Sequence, residues 1–211
     1  MVHIQEIVNS LFTSKTYIIY CEGEEKAWLI DIGDIEPVVS FLNEKNLRSE
    51  GVFLTHGHFD HIYGINKLIE KYPKCKVYAT PYCIECLASP KLNMSKYHEN
   101  PISYEGYNVI ELYEGDEICL FDNEPAMWVY ETPGHNPGCM TMVLGNMIFT
   151  GDSFIPKVKV VTNIPGGDKL KAQESIGKIL RLSIDKTIYP GHGEVFRFGE
   201  VREYYEKYIK Q

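Results

Sequence analysis

The stretch Leu54–Gly64, LTHGHFDHIYG, places three histidines and an aspartate between positions 56 and 61, in a chain of 211 residues with only seven histidines. Packing gives no reason for such crowding, because polar side chains are costly to bury unpaired. Divalent metal binding does give one, since neutral imidazole and carboxylate are good ligands for zinc and its neighbours. The apolar run VFL leads straight into the cluster, which puts these side chains just beyond the end of a short buried strand.

The same arrangement recurs three times. His135 in ETPGHNPG follows MWVY, Asp152 in FTGDSF follows MIF, and His192 in YPGHGE follows TIY. Loops at one edge of a rigid scaffold are where binding groups converge. Five of the seven histidines fall in this set; His3 and His98 stand apart and read as ordinary surface residues. His56 and His58, two apart in an extended segment, can point the same way, whereas Asp60 and His61 at a helix start are expected to diverge from them. Five imidazoles and two carboxylates are too many ligands for one tetrahedral ion. Two ions, with one carboxylate bridging, would use them and leave room for water.

Around these loops the elements alternate. TYIIYCEGEEKAWLIDIGD reads as two strands about a turn. In DIEPVVSFLNEKNL, Ile35, Val38, Val39 and Leu42 follow helical spacing with Asp34 as the expected cap. Ile62, Ile65, Leu68, Ile69 and Tyr72 make another helical stripe. KVYAT is a strand, followed by a helix that carries Cys83 and Cys86. Met94–Leu112 is polar and turn-rich and fixes no element. MWVYE, MTMVL and MIFTG read as successive strands. A helix is expected from Lys169 to Leu182, then the strand TIYP, and a closing helix EVREYYEKYIK in which Tyr204, Tyr205 and Tyr208 read as core or interface. No repeat or linker interrupts the chain, so one domain over 1–211 is expected.

Composition excludes several classes. The formal charge is −8, which argues against a nucleic-acid partner. No apolar run approaches a membrane span. MVHIQEIVNSLFTSK has neither a basic start nor an apolar signal centre, so a cytoplasmic location is expected. The six cysteines then read as free thiols, and the single CxxC, without a second pair, as part of an ordinary helix.

THGHFDH resembles the HxHxDH signature of the metallo-β-lactamase-fold hydrolases, and PGH, TGD and PGHG follow in that superfamily's order. The resemblance runs from about Tyr17 to Gly193. LIDIGD is similar to the family's early strand-end Asp–Gly segment, and IPGGD to a loop of short glyoxalase II-like members. It implies a four-layer αββα sandwich with the site along one sheet edge. It also implies ligands: His56, His58 and His135 for a first metal, Asp60, His61 and His192 for a second, and Asp152 between them, with Asp31 and Gly33 supporting. Two divalent ions are implied, zinc first, with iron or manganese as alternatives.

The implied chemistry is acyl hydrolysis of a small-molecule substrate. A metal makes hydroxide available at neutral pH and Asp60 is placed to orient it and accept a proton. Ser153, beside Asp152, reads as a loop hydrogen-bonder rather than a nucleophile. A thioester is the leading substrate class, with a lactone or other ester on the same scaffold, or an iron-dependent persulfide dioxygenase, as alternatives. The resemblance has departures. Val161 stands where glyoxalase II-like members carry Arg and Asn163 where they carry Asp. Glu194, Val195 and Phe196 follow PGHG in place of Pro and Thr, and the residues after Gly193 are too few for the helical glutathione-binding domain of longer members. Lys157 and Lys159 read as a solvated strand edge.

Overall fold

The computed structural model describes residues 1–122 and 124–200. One six-stranded sheet runs in chain order: β1 (Val2–Val8), β2 (Lys15–Cys21), β3 (Lys26–Ile30), β4 (Arg48–Phe53), β5 (Lys76–Ala79) and β6 (Val109–Glu111). The other contains β7 (Glu117–Ile118), β8 (Met127–Glu131), β9 (Met140–Leu144), β10 (Met147–Gly151), β11 (Thr187–Pro190) and β12 (Phe196–Arg197), and its neighbours also follow chain order. Among the described residues, four α-helices connect the strands: α1 (Ile35–Glu44), α2 (Ile65–Lys71), α3 (Pro81–Ala88) and α4 (Lys169–Leu182).

The layering follows from side-chain alternation. In β2, Ile18 packs with α1 and α2 through Val38, Leu42 and Leu68, while Tyr17 and Ile19 face the other sheet and meet Met142 and Phe149. β3, β4 and β5 alternate in the same way, and strands covered on both faces are near-continuously apolar. On the far side of the second sheet, Val143, Ile148 and Ile188 pack against Ile179 and Leu180 of α4. Helix, sheet, sheet and helix thus enclose three apolar interfaces, the expected αββα order. No helix among the described residues is long and apolar enough to cross a membrane.

Several expectations are corrected. β1 was not expected; among the described residues it is an edge strand paired only with β2, and Glu6 interrupts its apolar alternation by pairing with Lys15 at 2.8 Å. β6, β7 and β12, of two or three residues each, were also unforeseen. Asp34 stands at the α1 N-cap position but makes no side-chain capping bond; its carboxylate accepts from Ser10 N at 2.6 Å and Tyr63 OH at 2.7 Å. Lys157 and Lys159 are exposed, as expected, but lie on irregular backbone rather than a strand edge, with the Lys157 ammonium 5.0 Å over the Phe196 ring. Cys83 and Cys86 are fully buried on α3, and burial pushes the Cys86 thiol up to about 12. The closing helix with Tyr204, Tyr205 and Tyr208 lies outside the described residues.

Candidate metal centre

All seven expected ligand residues come together at one edge of the two sheets. His56, His58, Asp60 and His61 follow β4. His135 lies between β8 and β9, Asp152 follows β10, and His192 follows β11. The parallel neighbours β10 and β11 bring the last two loops side by side. Three groups of ligand atoms each fit within 4.8 Å: His56, His58 and His135; His56, His61 and Asp152; Asp60, His61 and His192. One expectation fails in detail. His61 does not diverge from the first pair, because the one-turn 3-10 helix Phe59–His61 brings its ring centroid to 4.3 Å from that of His56.

The hydrogen bonds fix which imidazole nitrogen faces inward. Thr55 Oγ1 donates to Asp31 Oδ2 at 2.7 Å, so it accepts from His56 Nδ1 at 3.1 Å. Nδ1 of His61 donates to Asp31 Oδ2 at 2.8 Å, Nδ1 of His135 to the Val161 carbonyl at 2.8 Å, and Nδ1 of His192 to the Phe12 carbonyl at 3.0 Å. Four rings therefore turn a basic Nε2 toward the centre, the usual way a neighbouring acceptor selects the ligating nitrogen. His58 instead turns Nδ1 inward, 2.9 Å from His135 Nε2. Nε2 of His61 and Nε2 of His192 face each other at 3.2 Å. Lone pairs at such distances need a proton or a cation between them.

Charge fits the same picture. Asp60 Oδ2 lies 3.2 Å from His192 Nε2 and 3.4 Å from His61 Nε2. Asp152 Oδ2 lies 3.5 Å from His192 Nε2 and 3.6 Å from His135 Nε2. Burial alone would lower His61, but Asp60, Asp152 and Asp31 outweigh it and hold the ring up to about 10. Burial would raise Asp60, yet His61, His192 and His58 hold it below the ordinary carboxylate range. Burial and then the other imidazoles push His56 well down, and burial with His135 takes His58 to about 4. Burial pushes Asp31 up, opposed by His61 and by Thr55; three donors converging on its oxygens fit the ionised form.

Two observations show that the residues fit metal ions. His56 Nε2 and Asp152 Oδ1 are buried without a hydrogen bond, in the middle of otherwise satisfied side chains, and an orphaned buried acceptor calls for a ligand. Gly191 keeps the cradle open: a Cβ there would stand 2.3 Å from Asp152 Oδ1 and 2.8 Å from His61 Cε1. Gly191→Ala is therefore expected to leave the fold intact and depress metal occupancy. Metal analysis beside a thermal melt checks this; wild-type occupancy in the variant would show that the cradle holds no ion.

The match to the model of the metallo-beta-lactamase superfamily covers residues 11–192. The chain belongs to this superfamily. Among curated relatives, hydroxyacylglutathione hydrolase 1 of Vibrio vulnificus is 31% identical over 68% of this chain and 48% of its own length. The chain spans about half the length of the curated hydroxyacylglutathione hydrolases it matches. The structure of the BLEG-1 B3 metallo-beta-lactamase superposes with a TM-score of 0.85 at 24% identity, covering 95% of this chain and 97% of that one. ETHE1 from Myxococcus xanthus superposes with a TM-score of 0.76 at 25% identity, covering 95% and 81%. The structural likenesses establish the fold, and the family match establishes the metallo-beta-lactamase superfamily.

Sequence reasoning missed the groups that support the ligands through the backbone. The Phe12 and Val161 carbonyls hold His192 and His135, and Ser14 Oγ donates to the Asp60 carbonyl at 2.7 Å. A carbonyl belongs to every residue type, so no motif marks it. Asp31 was visible as a strand-end carboxylate; its left-handed backbone (φ 56°) and its contact with His61 were not. Ser153 is a hydrogen-bonder as expected, but its partner lies in another loop: its Oγ donates to the Thr132 carbonyl, just after β8, at 2.9 Å.

Proposed function

We propose that residues 1–211 form one domain that hydrolyses a thioester or related acyl substrate at a dinuclear centre, with zinc as the leading metal. His56, His58 and His135 would hold one ion, Asp60, His61 and His192 the other, and Asp152 would serve both. The convergence of four inward-turned Nε2 atoms on a buried Asp152 Oδ1 that makes no hydrogen bond carries this reading. Divalent ions there supply Lewis acidity and lower the pKa of bound water from about 15.7 to about 7.

The chain's own groups do the rest. Asp60, kept ionised by His61, His192 and His58, accepts a proton from the attacking water and can return it to the leaving thiolate. Asp31 and Thr55 hold His61 and His56 in the ligating tautomer. The carbonyls of Phe12 and Val161 do the same for His192 and His135. Ser14 pins the backbone at Asp60, which keeps the carboxylate at its station.

The likeness to hydroxyacylglutathione hydrolases favours a thioester. Metal-loaded protein is assayed against thioester, lactone, β-lactam, phosphodiester and persulfide panels, and thioesters are expected to give the highest kcat/KM. Because Val161 offers no cation for a glutathione carboxylate, trimming glutathione to a small thiol is expected to change kcat/KM little. Strong, selective loss on trimming would mean that remote contacts supply binding energy, and would contradict that expectation.

A second reading has its own observation. His56, His61 and Asp152 form a group of two imidazoles and one carboxylate, the donor set of mononuclear non-haem iron oxygenases. Oxygen uptake with a persulfide, one iron per chain and no thioester turnover would select an iron-dependent persulfide dioxygenase instead.

A further inference from the structure

Four of the five imidazoles at the centre present their outer nitrogen to an acceptor: Thr55 Oγ1, Asp31 Oδ2, and the Val161 and Phe12 carbonyls. His58 is the exception. It turns Nδ1 inward, 2.9 Å from His135 Nε2, and its outer Nε2 lies 3.4 Å from Asn136 Nδ2. An amide NH2 offers two donors and no acceptor. A ring nitrogen that receives a hydrogen bond keeps its lone pair, so this contact favours the His58 tautomer with the proton on Nδ1. That is the nitrogen an ion needs bare.

The amide cannot turn over to suit the ligand. Which end carries the oxygen follows from its partners. Asn136 Oδ1 accepts from Gly138 N at 2.9 Å, a backbone donor that an NH2 could not satisfy. Gly138 is itself pinned, its carbonyl accepting from Thr80 Oγ1 at 2.7 Å. At the other end, burial raises the Cys86 thiol and a hydrogen bond from the Asn136 amide opposes it. Cys86 has no room to withdraw: a Cβ on Gly57, between His56 and His58, would stand 2.2 Å from Cys86 Cβ. Thr80 is the residue before α3 and Cys86 lies near its end, so α3 bridges the loops that carry His58 and His135. The helix with the CxxC pair thus fixes the amide with its donors toward His58. Asn136 is 1% exposed.

We infer that Asn136 sets the metal affinity of the His56, His58 and His135 group, holding it down by offering a donor where a ligating imidazole needs an acceptor. Asn136 is a positioning residue, because it acts on the ion only through the tautomer of His58. The inference rests on the metal-centre reading above for the ion, though not for the tautomer. Outer partners of ligating histidines change metal affinity about 10- to 100-fold, enough to decide how readily this ion exchanges.

Two substitutions and two readouts test it. Asn136→Asp puts an acceptor where Nδ2 stands and keeps one for Gly138 N. Asn136→Ser keeps an acceptor for Gly138 N in its hydroxyl, adds no charge, and removes the donor facing His58. Long-range 15N–1H spectra of the metal-free protein read the tautomer. His58 is expected to carry its proton on Nδ1 in wild type and on Nε2 in Asn136→Asp. Affinity is read by competition between a chelator and the protein for cobalt, in a His192→Ala background that leaves the three-histidine group to be measured. Melting of each metal-free variant is followed alongside. Asn136→Asp is expected to bind cobalt about tenfold more tightly, and Asn136→Ser at least as tightly as the parent. A purely structural Asn136 would leave the tautomer unmoved and lose affinity in Asn136→Ser. A wild-type proton on Nε2, which needs no variant to detect, overturns the inference. So does weaker binding in Asn136→Ser, or no gain in Asn136→Asp, while the parent takes up cobalt. A parent that takes up no cobalt sinks the metal reading instead, and the affinity claim with it.

Discussion

Asp60→Asn is expected to lower hydrolysis of the best thioester by at least about 10²-fold, and up to about 10⁴-fold, even when excess metal restores full occupancy, because a positioned acid–base group contributes on that scale. The substitution keeps size and one oxygen donor but removes the charge and the basic site. Asp60 is buried, with Oδ2 within 3.2 Å of His192 Nε2 and 3.4 Å of His61 Nε2. Its loss therefore also leaves those imidazoles without their counter-charge, and the second ion should bind more weakly while the His56, His58 and His135 group holds its own. Metal analysis separates the two effects. If Asp60→Asn holds two metals and turns over at the parental rate, Asp60 is a ligand only, and the proton-handling role must be abandoned.

The second large effect falls on Asp31. Its oxygens accept from Thr55 N and Thr55 Oγ1, each at 2.7 Å, and from His61 Nδ1 at 2.8 Å, and the residue is 1% exposed. Asp31→Ala strands all three donors in the interior. Removing one partner of a buried ion pair typically destabilises by about 3–5 kcal/mol, and chemical denaturation of the metal-free protein should show a loss of that order. Asp31→Asn is the informative companion. Asparagine tolerates the left-handed backbone at this position, so the fold should be better preserved. An amide has one acceptor oxygen where the carboxylate serves three donors with two, and it lacks the charge that raises the basicity of His61, so affinity at the second site should fall about 10- to 100-fold, the usual effect of losing such a support. Wild-type stability in Asp31→Ala together with wild-type affinity in Asp31→Asn would contradict this account of the residue.

How much of this was legible in the sequence follows from where the physics writes itself into residue types. His56, His58, Asp60, His61, His135, Asp152 and His192 act through their own side chains, so the chain must spell them out, and strand ends placed them at one edge. The central strands were legible because both of their faces are buried. β1 was not, because it lies at a sheet edge with Glu6 breaking its apolar alternation. α4 was found with its bounds because Asp168 caps it, accepting from Leu170 N at 2.9 Å and Lys171 N at 3.1 Å. Asp34 looked like an equal cap for α1, but the turn between β1 and β2 captured its carboxylate through Ser10, a partner distant in sequence. The Phe12 and Val161 carbonyls left no trace for the same reason. Only the folded chain shows which peptide oxygen meets which imidazole.

The central claim is that the seven side chains form a centre for two ions that act together in acyl hydrolysis. Stepwise loading of metal-free protein with zinc, with bound metal and thioester turnover measured on the same samples, tests it directly. Binding is expected to saturate at two ions per chain, with turnover rising chiefly as the second is taken up. His135→Ala should weaken the first site more than the second, and His192→Ala the reverse. A plateau at one ion under metal excess, with full turnover already reached, would contradict the dinuclear account.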